Sequence, residues 1–166
     1  MKIRLRRIQI DKDLIFAYQW YNNPRVLIGS EGKHVSGYDL TTIKRMYTHL
    51  NTIGHVYIIE VYVNNHWHPI GDVTLSKTMN PIVIGDDQFH HKGIGKRVIL
   101  LLIHLAEFYQ FKHLNVNKVF EYNIASQKLF ESMGFIKTSE KLDDNGEKYF
   151  QYHINLEEHN EGIISD

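Results

Sequence analysis

The sequence predicts an α/β domain of the α+β kind, with a central mixed and largely antiparallel sheet flanked by about four helices. Three observations predict it. Apolar residues change their period along the chain, giving the order strand, two helices, three strands, helix, strand, helix, two strands. Several strands are joined by turn-forming residues alone, "NN" at 64–65 and "DDNG" at 143–146, as antiparallel neighbours are. And 166 residues with 43% hydrophobic and 23% charged content can bury one core without staples.

"IRLRRI" alternates apolar and basic residues, a strand with one buried face. Asp11 can cap a helix running to about Asn22, with Leu14, Ala17, Tyr18 and Tyr21 on its apolar stripe and Pro24 stopping it. "RVLIGSEGKHVSGYD" has three glycines and no period, which reads as loop. Asp39 can cap a second helix carrying Leu40, Ile43, Tyr47 and Leu50. "HVYIIEVYV" and "HPIGDVTL" are strands joined by Asn64-Asn65, residues that tolerate the positive φ of a tight hairpin. "NPIVIG" is a third strand. A helix follows from about Ile94 to Tyr109, with Val98, Leu101, Leu102, Leu105 and Phe108 on its stripe and enough further apolar residues to be largely surrounded by protein. "NVNKVFEY" is the next strand. Asn123 then caps a helix through Met133, with Ala125, Leu129 and Met133 apolar and Gly134 at the left-handed C-terminal cap. "FIKTSEKL" and "KYFQYHINL" close the sheet, with Phe150, Tyr152, Ile154 and Leu156 on one face. Residues 1–156 are expected to form the domain and 157–166 a frayed tail.

Composition excludes several functions. There is no cysteine, so disulfides and thiolate metal sites are out and a cytoplasmic setting is expected. Nineteen basic residues match nineteen acidic ones, which does not suggest nucleic acid as a partner. "MKIRLRRIQIDKD" lacks the apolar stretch of a secretory signal, and "VILLLIHLA" is about half of a membrane span, so no membrane association is expected. The paired histidines of "HWH" (66–68) and "HH" (90–91) lack the helical i, i+4 spacing of a metal site, and no metal is expected.

The stretch "GDDQFHHKGIGKRV" places Gly93 and Gly95 between a strand and a helix. Glycines let backbone approach a ligand, the first N–H groups of a helix have no internal partner, and the dipole there favours an anion. Lys92, Lys96 and Arg97 add positive charge. His90 and Arg97 stand where a P-loop needs glycine and Ser or Thr, and Val98 where a dinucleotide fingerprint needs glycine. Taken alone, the step is either a tight turn or a phosphate cradle.

A second cluster bears on that choice. "NIASQKLFESMGF", Asn123 to Phe135, opens a helix on Asn and closes it on Gly-Phe, one strand after the glycine step. Together with "IVIGDDQFHHKGIGK" it resembles the GCN5-related N-acetyltransferase (GNAT) family. The opening "LIFAYQWYNNPRV" resembles the RimJ/RimL-like and spermidine-acetyltransferase-like branches. The resemblance implies acetyl-CoA as co-substrate. Main-chain groups of Val83, Ile84 and Gly85 would pair with the pantetheine arm. His90, His91, Lys92, Gly93, Ile94, Gly95 and Lys96 would hold the pyrophosphate, and Asn123 would contact the pantetheine or acetyl end. Three residues depart from the pattern: His90 stands for the usual Arg or Gln, His91 for a frequent Gly, and Phe130 for a tyrosine that protonates the leaving thiolate in many relatives.

The implied reaction is acetyl transfer to a primary amine, on a small molecule or a protein N-terminus. An alkylamine is mostly protonated at pH 7, so a general base is expected. The residue types offer Asp72, Glu60 and Glu121 as bases and Tyr122 as an acid, with no spacing that selects among them. Tyr18, Trp20, Tyr21 and Tyr38 are candidates to line an acceptor pocket. Acids look scattered, which weighs against a polycationic acceptor such as an aminoglycoside, the alternative within the class. A non-catalytic acyl-CoA-binding module is the alternative outside it. Members of the family are often dimers, but no interface is legible.

Overall fold

The computed structural model describes residues 1–157. The expected tail therefore lies, beyond Glu157, outside the described residues. Strand β1 (Lys2–Arg7) pairs antiparallel with β2 (Gly54–Val63), β2 with β3 (His66–Ser76), and β3 with β4 (Ile82–Ile84). A second sheet has β5 (His113–Phe120) and β6 (Ile136–Leu142) on either side of β7 (Lys148–Asn155), again antiparallel. The turn residues behave as their chemistry requires: Asn64 and Asn65 have φ of 49° and 63°, and Gly134 caps its helix at φ 90°.

The single sheet expected from the strand order is thus two sheets. Strands β4 and β5 share no ladder. Asn80 joins them at one end: its N–H donates to the Asn115 carbonyl at 3.0 Å, and its Oδ1 accepts from the Asn115 N–H at 2.8 Å. Past that point the two edges part. Strand β4 is three residues long, and the chain leaves it where the Gly85 N–H donates back to the Ile70 carbonyl at 2.7 Å. The face of Gly85 is filled by Trp20, whose Cγ would lie 2.1 Å from any added Cβ.

Among the described residues, five α-helices surround the sheets: α1 (Ile10–Trp20), α2 (Pro24–Val26), α3 (Leu40–Ile53), α4 (Ile94–Phe108) and α5 (Ile124–Ser132). Asp39 caps α3 as expected, accepting from the Thr42 N–H at 2.7 Å. Asp11 does not cap α1. The N-cap position is Gln9, which makes no side-chain cap; Asp13 instead accepts from the Gln9 N–H at 2.8 Å and is held by Arg6 at 2.8 Å, while Asp11 pairs with Lys44 at the surface. The buried stripe of α1 runs through Ala17, Trp20 and Tyr21 and leaves Tyr18 exposed. Pro24 begins a helix instead of only ending one. Its missing N–H costs nothing at the first helical position, and Asn23 caps it through the Arg25 N–H at 3.0 Å. A π-helical turn, Leu27–Glu31, continues it through what the sequence suggests is loop.

Two clusters form the core. Val98, Ile99, Leu102, Ile103 and Ala106 of α4 fill the space between both sheets, against residues such as Val73, Leu114 and Tyr152. Helix α4 is not wholly surrounded, since Leu100 and Phe108 face outward. On the other side of the first sheet, Ala17, Trp20, Ile43, Tyr47 and Leu50 cover Val56 and Ile58. In α5 the buried residue is Phe130, while Ala125 is exposed.

Candidate functional site

The parting of β4 and β5 opens a cleft of about 1410 Å³, lined by both strands, the first turns of α4 and α5, and residues 25–31. One wall is the free edge of β4. The Thr74 N–H donates to the Pro81 carbonyl and the Gly85 N–H to the Ile70 carbonyl. By antiparallel alternation, Asp72 and Val83 between them exchange their hydrogen bonds. Val83 therefore spends its main-chain groups inside the sheet, contrary to the role the resemblance implies for it. The groups that face the cleft belong to Ile82 and Ile84. Gly85, turned toward Ile70 and Trp20, does not line the cleft.

At the end of β4, residues 90–96 wrap the N-terminus of α4. His91 (φ 59°) and Gly93 (φ 73°) are left-handed, which turns successive N–H groups toward one point. Among the described residues, the N–H groups from His91 to Lys96 have no partner in the protein. Lys92 and Lys96 are exposed beside them. A Cβ on Gly93 would meet nothing within 4 Å, whereas one on Gly95 would come 2.9 Å from Leu129 of α5. Gly93 thus serves the turn and Gly95 the packing of the two helices. His90 is held below its ordinary value by burial first and by the charge of Arg25 second, so it is neutral at pH 7. Asp86 and Asp87 do not repel an anion in the cradle. Asp86 caps the turn at Gln88 (2.9 Å) and pairs with His68 (3.0 Å), and Asp87 accepts from Arg25 at 2.6 Å.

The four acid–base candidates separate sharply. Asp72 lies on the cleft wall, fully buried, with Oδ2 accepting from the Tyr21 hydroxyl at 2.9 Å and the Tyr47 hydroxyl at 2.8 Å. Burial pushes its carboxyl up to about 6, against the two tyrosine hydrogen bonds that favour the anion. Glu60 is buried away from the cleft, accepting from Arg4 at 2.6 Å and Arg6 at 2.9 Å. Glu121 is exposed and pairs with Lys148 at 3.5 Å. Tyr122 lines the cleft, but its hydroxyl donates to the Ile28 carbonyl at 2.6 Å. The side chain of Asn123 is likewise engaged: Oδ1 caps α5 at Ser126 (3.2 Å) and Nδ2 donates to the Gly29 carbonyl at 3.3 Å. Glu60 has a structural role with a measurable weight. Glu60→Gln should lower stability by about 1–3 kcal/mol, less than a fully buried pair because Arg4 and Arg6 are partly exposed. Chemical denaturation should show that loss with the steady-state kinetics unchanged.

Sequence reasoning missed Glu31. It lies on the π-helical turn, lines the same cleft, and its charge helps to raise both the Tyr38 hydroxyl and the Asp72 carboxyl. Two carboxylates 41 positions apart in sequence therefore share the end of the cleft where Tyr21 and Tyr38 also stand. Tyr18 is exposed and Trp20 backs Gly85, so neither joins them. Nothing in the period or spacing of 25–39 signalled this. Only the helical continuation after Pro24 turns Glu31 inward.

A family model described as "Acetyltransferase (GNAT) family" matches residues 6–135, most of the chain. The chain belongs to the GNAT acetyltransferase family. Among curated proteins, this GNAT chain is 42% identical over 64 residues to a spermine/spermidine N(1)-acetyltransferase of Bacillus subtilis, a match covering 38% of this chain and 41% of the relative. The alignment therefore spans less than half of that protein. A domain from Methanocaldococcus jannaschii superposes with a TM-score of 0.77 at 26% identity, over 93% of this chain and 98% of that one. The spermidine N-acetyltransferase of Vibrio cholerae, solved with CoA and spermine, gives 0.77 at 15% identity, over 93% and 96%. An aminoglycoside acetyltransferase, AAC(6')-Ib, solved with coenzyme A, gives 0.77 at 14%, over 96% and 98%. At such identities the last two establish a shared fold. For a GNAT chain the two parted sheets are therefore the expected architecture, and Phe130 is the departure to explain. Its ring is buried against Phe135 and Tyr152 and carries no proton to give.

Proposed function

We infer that this protein transfers the acetyl group of acetyl-CoA to a primary amine of a small molecule. The observation that carries the reading is that one cleft holds, side by side, an unpartnered row of N–H groups (residues 91–96), a free strand edge, and a buried carboxylate. The residues present fit acetyl-CoA. The N–H row with Lys92 and Lys96 suits a pyrophosphate, and the edge at Ile82 suits an amide of a pantetheine arm, the Ile84 carbonyl already accepting from Arg25 at 2.9 Å. Acetyl-CoA would supply an activated thioester carbonyl.

Asp72 is the general base of this reading. Near pH 7.5 it is mostly ionised; it takes a proton from the bound ammonium, and the neutral amine so released attacks the thioester carbonyl through its lone pair. The Ile84 N–H, facing the cleft, can donate to the carbonyl oxygen as its C–S bond breaks. Phe130 gives the thiolate no proton, and Tyr122 is committed to Ile28, so the leaving group takes its proton from water. Glu31, a second carboxylate lining the cleft whose charge reaches Asp72, favours an acceptor that carries a second positive charge, a polyamine, over a neutral-bodied amine such as a protein N-terminus. This revises the sequence reading that the acids are scattered.

The test is to mix the purified protein with acetyl-CoA and a panel of spermidine, spermine, kanamycin and an N-terminal peptide, and to measure free thiol and acetylated amine. Thiol release matched by N-acetyl polyamine is expected. CoA binding without turnover on any amine would instead favour the non-catalytic module. The reading also predicts a pH profile. Removing one tyrosine hydrogen bond takes away a contact that favours the Asp72 anion, so its carboxyl rises further above about 6. Tyr47→Phe should therefore move the acidic limb of kcat to higher pH, by on the order of one unit for a hydrogen bond to a charged group of about 1.5 kcal/mol. A pH–rate profile measured at saturating acetyl-CoA checks it.

A further inference from the structure

The segment that carries Glu31 is tied to both walls of the cleft. At its start, Arg25 donates through Nε to Asp87 at 2.6 Å and through Nη2 to the Ile84 carbonyl at 2.9 Å. Asp87 opens the short turn Asp87–Phe89 that leads into the phosphate-facing loop, and also accepts from Asn23 Nδ2 at 3.0 Å. The Ile84 carbonyl lies on the free edge of β4. At the other end of the segment, the Ile28 and Gly29 carbonyls accept from Tyr122 and Asn123, the residues that open α5. Gly32, at φ 113°, passes the ring of Phe120, where a Cβ would stand 3.4 Å away.

The guanidinium joins three elements with different tasks: the acceptor segment that bears it, the β4 edge, and the turn before the cradle. Its planar fork suits this, since two donors are fixed in one plane and, among the described residues, Nη1 has no partner. It also stands close enough to His90 to help hold that ring neutral. A chain of charge-assisted hydrogen bonds therefore runs from the turn before the cradle to the segment that carries Glu31.

We propose that Arg25 is a positioning residue that couples occupation of the CoA cradle to the geometry of the acceptor pocket. Ligand in the cradle fixes residues 86–90, Asp87 and Ile84 fix Arg25, and Arg25 fixes the segment 27–38 that presents Glu31 and Tyr38. This rests on the reading of the cleft as a CoA site.

Hydrogen exchange with CoA alone as the probe tests it without knowledge of the amine. In the wild type, CoA should slow exchange both at 91–98 and at 27–38, the latter by about fivefold or more, the lower end of ordinary coupling between sites. In Arg25→Ala the protection at 91–98 should persist at saturating CoA while that at 27–38 is lost. Asp87→Ala, an exposed change that keeps Arg25 but removes its acceptor, should give the same split and guards against a fold defect in the first variant. Arg25→Lys should restore it only partly, because an ammonium cannot hold Asp87 and Ile84 in one plane. Protection at 27–38 that survives in both variants, or is absent in the wild type when CoA protects 91–98, would overturn the coupling. No CoA binding to the wild type by calorimetry would overturn the CoA reading itself, and the coupling with it.

Discussion

Asp72→Asn should lower kcat by about 100- to 10,000-fold, the range expected when a general base is removed, and leave CoA affinity unchanged. Asn can still accept from Tyr21 and Tyr47, so the pocket keeps its shape, but it cannot take the proton of an amine. The same variant should be at least as stable as the wild type at pH 7.5. Asp72 has a folded-state value of about 6 against an ordinary 3.8, so the folded chain prefers it protonated. That preference stabilises fully below about pH 4 and is lost as pH rises through 6. At neutral pH the folded state carries a cost on the order of 3 kcal/mol for a shift of about two units. Asn removes that cost. A large fall in kcat with an equal or higher Tm is the outcome that separates a base from a structural carboxylate. A fall in Tm with kcat intact would place Asp72 in the core and outside the chemistry. The pH dependence adds an independent check, since wild-type kcat should fall as pH drops through about 6, where Asp72 takes up its proton.

Gly93→Asp should weaken CoA binding by on the order of 100-fold or more, since a carboxylate would both accept the loop N–H groups and repel a pyrophosphate. The position suits the test. A Cβ there meets nothing within 4 Å, and Asp tolerates the left-handed φ of 73° better than most residues, so the fold should persist. Gly95→Asp is the less clean variant, because its Cβ would press on Leu129 and disturb the contact between α4 and α5. Calorimetry with CoA, beside circular dichroism to confirm the fold, measures both. Unchanged CoA affinity in Gly93→Asp would move the cradle elsewhere.

Much of this was legible in the chain. The hairpin at Asn64-Asn65, the caps at Asp39 and Asn123, and the left-handed Gly134 follow from local backbone chemistry, and each appears where the residue types require it. The left-handed turn at Gly93 before α4 was legible for the same reason, since a glycine ahead of an apolar helix supplies the backbone freedom that turn needs. Local chemistry misled at Asp11 and Pro24. Asp13, two residues on, could satisfy both the Gln9 N–H and Arg6, and Pro24 was free to open a helix because Asn23 could cap it.

The choice among the four acid–base candidates was not local. Asp72, Glu60 and Glu121 are chemically near-identical in sequence, and what distinguishes them is their partners. Arginines of β1 neutralise Glu60, Lys148 of β7 meets Glu121, and two tyrosines from α1 and α3 hold Asp72 buried on the cleft wall. The sequence by itself determined most of the elements, their order, and the glycine turn at the head of α4, because those depend on residues within one turn of each other. The tertiary structure alone decided that the sheet parts into two, that Glu31 joins Asp72, and which carboxylate meets the cleft. A side chain's charge state and reach depend on groups brought to it from many residues away.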